Sequence, residues 1–378
     1  MVAANETAYD AIDRPGSAVA HGIDHISRFL GLCVGNLYIL CAIFTLYEVI
    51  ARYAFNAPTQ WAFEVVMVLC ATAWMLSAGF VTLQKRHIGI TVFYLMASHR
   101  TRWWLDLFAM VVGVFALYML VSDTLIRSLE SIDLVERAGT GWNSPLPMIL
   151  KTVLVVGLFI YLMQLLMNLS RHFQSRTIEF GVLLVTALIL FRYMLQIGHH
   201  YMGEESFFGV MDGAINNFGL LLNPKEYIDV RSYGIGYVSL GIVATLLLLM
   251  MTGMPLGIVT LIISVICAFL FFGPKGLYLV STNAFGLLEK YPLVAVPLFV
   301  LMATILERAG IAEDLFDAMS IFAGNLRGGV ALQTTIVAVI LAAMSGVMGG
   351  EIVMLGLVAL PQLLRLKYDR KLAIGLIC

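Results

Sequence analysis

Charge is what this 378-residue chain has least of. Aspartate, glutamate, lysine and arginine together make 12% of it, against about 25% in an ordinary soluble domain, while 60% of its residues are hydrophobic. Mean hydropathy is +0.91, so water is not its main solvent. The formal net charge of −1 gives no reason to expect a nucleic-acid partner. No GxxxxGK[ST] loop is present to cradle ATP phosphates, so any work done by the chain draws on another energy source. Strictly alternating segments are missing too, which argues against a β-barrel. The five cysteines, Cys33, Cys41, Cys70, Cys267 and Cys378, sit in apolar runs without a CxxC or Cys/His cluster, and read as small core residues rather than disulfide or zinc ligands. An enzyme needs several titratable groups converging at one depth, and apart from Glu351 the sequence offers none.

What is there is a series of apolar runs near the roughly 20 residues that cross a bilayer. Expected spans cover residues 30–51, 61–83, 103–126, 147–169, 179–198, 233–252, 256–272 and 291–306, with shorter pieces at 328–344 and 352–364. The expected fold is an all-α polytopic membrane protein. The first 29 residues hold Asp10, Asp13, Arg14 and Asp24 and lack a cleavage signature, so 30–51 is expected to be an uncleaved first span.

Orientation follows from the basic residues. With the N-terminus inside, Arg14, Arg28, Lys85, Arg86, Arg100, Arg102, Arg171 and Arg176 face the cytoplasm, against Arg52, Arg127, Arg137 and Lys151 outside. The fifth span then carries the chain out into a polar, acidic segment from His199 to Arg231, and later basic residues return to the cytoplasmic face. Residues 1–176 form one four-span module, 177–231 a linking helix and acidic loop, and 232–378 a second module. The end, KLAIGLIC, reads as a helix cut in its first turns, so the second module is expected to be incomplete.

The strongest site candidate is Ser345-Gly346-Val347-Met348-Gly349-Gly350-Glu351. The flanking apolar pieces would make helices of about 25 and 20 Å, too short for a hydrocarbon core of roughly 30 Å. Transporters use such broken helices to bind ions with freed carbonyls. The alternative is an ordinary hairpin of two full spans with a tight turn; Glu351 is then a turn residue rather than a functional one.

Several charges read as structural. Glu48 with Arg52, Arg102 with Asp106, and Asp123 with Arg127 are each four apart, on one helix face. Trp61, Trp103, Trp104 and Trp142 fall near span boundaries and read as interfacial anchors. His199, His200 and Glu204 give only a weak metal pattern, because adjacent histidines point to different helix faces. Residues 309–322 pattern as an amphipathic surface helix, either a bracing arm or a plain connector.

With these residues in view, the chain resembles the tripartite ATP-independent periplasmic (TRAP) transporters. RYAFNAPTQWAFEVVMVL from Arg52 and QKRHIGITVFY from Gln84 resemble the small four-helix Q subunit. YPLVAVPLFVLMATILERAGIAEDLFD from Tyr291 and GNLRGGVALQTTIVAVILAAMSG from Gly324 are similar to the first part of the large M subunit. The resemblance implies a Q module, one linking helix and the first part of an elevator-type M module with a re-entrant hairpin, in a bacterial or archaeal inner membrane. It implies a sodium-coupled secondary transporter that imports an organic anion, a carboxylate by default, delivered by a periplasmic substrate-binding protein. Sodium is then the coupling ion, no organic cofactor is needed, and carbonyls at Ser345, Gly346, Gly349 and Gly350 help hold it. The tip departs from the commoner SGS pattern at Val347, which leaves the ligand set open. Docking of the binding protein is expected on Glu204, Glu205 and the segment around Glu136, Trp142 and Asn143. The alternative is a non-transporting membrane scaffold or assembly subunit.

Overall fold

The computed structural model describes residues 17–90, 92–173, 175–221, 234–290, 328–345 and 368–377, with single positions between 301 and 364. The described residues are helical, joined by turns. The helices are α1 (Ala18–Tyr53), α2 (Ala62–Leu83), a short α3 (Val92–Met96), α4 (His99–Asp133), α5 (Leu146–His172), α6 (Arg176–Met202) and α7 (Phe207–Leu221). They continue with α8 (Ile235–Met251), α9 (Leu256–Phe272), α10 (Leu277–Leu288), α11 (Gly329–Ser345) and α12 (Arg370–Ile377). Five of these, α1, α2, α4, α5 and most of α6, are long and apolar enough to cross a membrane.

Helix starts follow capping chemistry. Ser17 and Ser98 place their Oγ 3.3 Å from the backbone N–H of Ala20 and Thr101, satisfying donors that the first turn leaves open. With Ser17 as cap, α1 begins twelve residues before the expected span, and α4 likewise overruns its apolar window at both ends.

The chain divides into two compact units, Met1–Glu289 and Lys290–Cys378. In the first, α1, α2, α4 and α5 pack together, and close approach depends on small residues. A Cβ at Gly157 would lie 2.6 Å from Met75 Cβ and 2.7 Å from its carbonyl oxygen. Between membrane helices, where lipid is as apolar as leucine, such contacts are a main source of association. The core joins Ala116, Leu117, Leu162 and Leu166 of α4 and α5 to Ile189 and Tyr193 of α6 and to Ile258, Val259 and Ile262 of α9. Side chains such as Ile39, Ile43 and Leu46 point outward, as a bilayer permits.

Several buried polar groups are paired across helices. Asp24 accepts from Arg171 at 2.5 and 3.1 Å and from Gln164 at 2.9 Å, and Gln164 accepts from Ser27 at 2.7 Å. Asn168 donates to the Thr82 carbonyl at 3.0 Å. The loop after α2 also holds the α8–α9 turn: the Leu256 N–H donates to the Ile88 carbonyl at 2.8 Å. That turn needs Gly253 at φ +83, a left-handed conformation that glycine adopts freely.

In the second unit, α11 has 17 residues, about 25 Å, and contributes Val337 to a small cluster with Leu355, Ala359 and Ile377. Most of the expected span 291–306, most of 352–364 and most of the amphipathic stretch 309–322 lie outside the described residues.

Three expectations need correction. Arg102 and Asp106 do not pair: Arg102 donates to the carbonyls of Ala97 (3.0 Å) and Leu95 (2.5 Å), and Asp106 accepts from Tyr94 Oη at 2.9 Å. The end of α3 offers carbonyls closer than the next turn offers a carboxylate. Cys33 is exposed, on the outer face of α1, whereas Cys41 and Cys70 are buried with sulfurs 3.5 Å apart. The segment after His199 is not a polar loop throughout, because residues 207–221 form a helix that folds back along α6.

Candidate functional site

Two features meet at one end of the first unit. The first is the segment from Asp133 to Leu146. Glu64, on the first turn of α2, is 5% exposed and accepts hydrogen bonds from Thr140 Oγ1 and Ser144 Oγ, stapling this segment to α2. Glu136 accepts from Lys151 Nζ and, at 2.6 Å, from Ser131 Oγ. The ammonium first, and the hydroxyl second, hold its carboxyl below the usual range. Glu289 nearby is pushed the other way by burial. Arg137 donates to the Asn143 carbonyl at 3.0 Å, and Asn143 Oδ1 accepts from Gly139 N–H at 3.2 Å, with Asn143 itself at φ +50. Trp142 is exposed.

The second feature is the α6–α7 hairpin. Arg192 pairs with Asp212 through Nη1 and donates to Asn216 Oδ1 at 2.9 Å through Nη2. His199 Nδ1 lies 2.8 Å from the other Asp212 oxygen. These pairings run antiparallel, so α7 returns alongside α6, and Arg192 sits about 15 Å inside the end of that helix. Glu204 and Glu205 occupy the exposed connecting turn. His200 Nε2 lies 2.6 Å from Asp133 Oδ2 and ties the turn to the 133–146 segment. Glu204, Glu205, Trp142 and Asn143 therefore share one end of the unit, with Glu136 among them but neutralised by Lys151. His199 and His200 engage different carboxylates and do not converge with Glu204.

Beside this face, Arg127 pairs with Asp123 at 2.8 Å as the spacing predicts, and Ser281 of α10 bridges both, accepting from Arg127 Nε at 2.9 Å and donating to Asp123. Glu48 and Arg52 also pair, at 2.5 Å. At the other candidate, Ser345 is the last residue of α11. Gly346, Val347, Met348, Gly349, Gly350 and Glu351 lie outside the described residues.

Comparison with known families assigns both halves. Residues 41–175 match the model described as tripartite ATP-independent periplasmic transporters, DctQ component, and residues 243–378 match that of the DctM component. Together they cover more than two thirds of the chain. The chain belongs to the TRAP transporter family. It carries a Q and an M component in one polypeptide, and is a multi-pass inner-membrane permease component rather than an enzyme. Similar proteins include the C4-dicarboxylate TRAP transporter large permease protein DctM of Pseudomonas aeruginosa, 29% identical over 29% of this chain and 26% of that one. The protein of the same name from Rhodobacter capsulatus is 28% identical over 37% of this chain and 31% of its own length. The ectoine TRAP transporter large permease protein TeaC of Halomonas elongata is 29% identical over 36% and 32%. This TRAP chain thus spans about a quarter to a third of the length of these relatives.

Sequence reasoning missed Arg192 and Glu64. A single arginine inside an apolar run was a usable signal for the first, since intramembrane charges are costly unless paired. For Glu64 no local signal existed, because its partners lie 76 and 80 residues away.

Proposed function

We propose that this TRAP chain is the membrane component of a sodium-coupled secondary transporter that imports an organic anion handed over by a periplasmic substrate-binding protein. The observation that carries the reading is the pair of family matches in the order Q then M. The names of two relatives, which specify C4-dicarboxylates, support a carboxylate substrate. In this reading the N-terminus and both ends of the Q module face the cytoplasm, and the end bearing Glu204, Glu205, Trp142 and Asn143 faces the periplasm and receives the binding protein. Residues 345–351 form a re-entrant tip whose carbonyls at Ser345, Gly346, Gly349 and Gly350 coordinate sodium, with Val347, Met348 and Glu351 completing it.

The Q module acts as scaffold, and the geometry supports that role: its loop holds the α8–α9 turn by the Ile88–Leu256 hydrogen bond, and its core continues into α9. A wholly non-transporting scaffold is the competing reading. Uptake into proteoliposomes supplied with the binding protein separates the two. Transport should require a sodium gradient, and Gly349→Val or Gly350→Val should abolish it in protein that still inserts and folds. Unchanged sodium dependence in both variants refutes the site; absence of any uptake by the unaltered transporter supports the scaffold.

A further inference from the structure

The α6–α7 hairpin is built inside out. Along α7, Phe207, Val210, Met211, Ala214 and Ile215 recur at the three- and four-residue spacing of one helix face. All five are exposed, Phe207 by 66% and Val210 by 61%. The opposite face carries Phe208, Asp212 and Asn216, each four residues from the next, and this is the face that meets α6. A helix at a protein surface in water turns its apolar stripe inward and its polar one outward. Here the polar stripe is the packed one.

The contacts with α6 also fix how deep α7 reaches. A Cβ at Gly198, four residues from the Met202 end of α6, would lie 2.5 Å from the Phe208 ring. Arg192, ten residues from that end, donates to Asn216 at 2.9 Å. The two helices therefore stay side by side over eight residues of α7, about 12 Å, and Ile215 stands about 15 Å inside the Met202 end. The span Thr177–Met202 has 26 residues, about 39 Å, so it overhangs a hydrocarbon core of roughly 30 Å by a few ångströms on each side. Ile215 is then about 10 Å below the headgroups. Near that level α6 leaves its own Phe191 and Met194 exposed. Charge at such a depth is costly unless paired, and Arg192 and Asp212 are paired with each other, both buried between the helices.

We infer that α7 is a half-span helix that enters the bilayer beside the Met202 end of α6, and that its face of Phe207, Val210, Met211 and Ile215 is a contact surface for the acyl chains of that leaflet. A helix satisfies its own backbone groups, so it can stand in hydrocarbon where a polar loop could not. The clasp to Arg192 removes the Asp212 charge from the lipid and holds α7 at depth. The turn bearing Glu204 and Glu205 is thereby pinned at the headgroups by a helix on either side. The inference does not depend on sodium, on the transported substrate or on which side of the membrane this end faces.

The test uses the full transporter in proteoliposomes, with its five cysteines replaced by alanine and a nitroxide attached through Phe207→Cys, Val210→Cys or Ile215→Cys. Collisions of the label with oxygen, which concentrates among acyl chains, and with a water-soluble nickel chelate report its surroundings. Oxygen should dominate at Val210 and Ile215, and the oxygen-to-nickel ratio should rise severalfold from Phe207 to Ile215. Dominance of nickel at Ile215 means water and overturns the inference. Few collisions with either reagent at Val210 and Ile215 mean a protein cover, which overturns it equally. A ratio that stays flat along the helix refutes the descent into the leaflet. The unaltered protein gives a second reading: a diazirine that partitions into the bilayer should tag the peptide Phe207–Leu221 as heavily as α6, and a tag confined to α6 overturns the assignment.

Discussion

The α6–α7 clasp makes a sharp quantitative demand. Asp212 is 3% exposed and satisfies Arg192, His199 and Asn216 at once. Replacing it by alanine leaves a guanidinium, itself about nine-tenths buried, without its counter-ion. Removing one partner of a buried pair costs about 3–5 kcal/mol, whereas a solvent-exposed pair is worth about 0–1 kcal/mol. Because the penalty falls on one hairpin, it should appear as local opening and not as global unfolding. The assay is hydrogen exchange at the amides of α7, followed by mass spectrometry. Asp212→Ala should speed exchange there by roughly two to four decades, with little change in α2 and α5. The paired change Arg192→Met with Asp212→Leu should restore most of the protection, since a hydrophobic replacement of a buried pair is often neutral. An acceleration under about fivefold would mean that the pair is effectively solvated, and the placement of α7 along α6 would be wrong.

Gly157→Ala should lower the unfolding midpoint, because the new methyl meets the Met75 backbone at 2.7 Å and α2 and α5 must part at a cost of about 1–3 kcal/mol; an unchanged midpoint refutes that contact. His87, in the loop after α2, is half-buried against Tyr161 with ring centroids 5.1 Å apart, and that partial burial holds its pKa below the ordinary value. The unfolded chain therefore binds a proton before the folded one does, so stability is full above about pH 6.5 and falls as pH drops below it. His87→Gln should flatten that fall, and an identical pH profile would dismiss the histidine. Glu204→Gln with Glu205→Gln should slow uptake more at low salt than at physiological salt, since the Debye length shrinks from about 30 Å at 0.01 M to about 8 Å at 0.15 M; no effect at either ionic strength removes the turn from the docking face.

The spans were legible in the sequence because hydropathy averages over a window about as long as the membrane is thick. The same averaging hid Arg192, one charge among apolar neighbours, and made Phe207–Leu221 look like loop because Asp212, Asn216 and Asn217 dilute it. Spacing of four identified Glu48–Arg52 and Asp123–Arg127, yet failed for Arg102–Asp106, where α3 supplies carbonyls and the Tyr94 hydroxyl. Helix starts were set too late in α1 and α4 because polar first turns carry the caps. Charge singled out Glu136 and Glu204–Glu205 as proposed docking residues, but Glu136 was not seen to be held by Lys151, fifteen residues on. Of the proposed tip 345–351, the structure describes Ser345 as a helix end, and the proposal for the rest stands on the glycine pattern.

The core shared between α4, α5, α6 and α9 has a consequence for biosynthesis. A ribosome that has reached residue 175 has made the whole Q match, residues 41–175, while Ile258, Val259 and Ile262 are still some eighty residues short of being made. Until they emerge, the core that Ala116, Leu117 and Leu166 share with one another lacks its α9 members. The first half of this chain is thus inserted in the membrane before it can finish folding, and a gene cut between α7 and α8 would yield two polypeptides that each wait in the bilayer for the other.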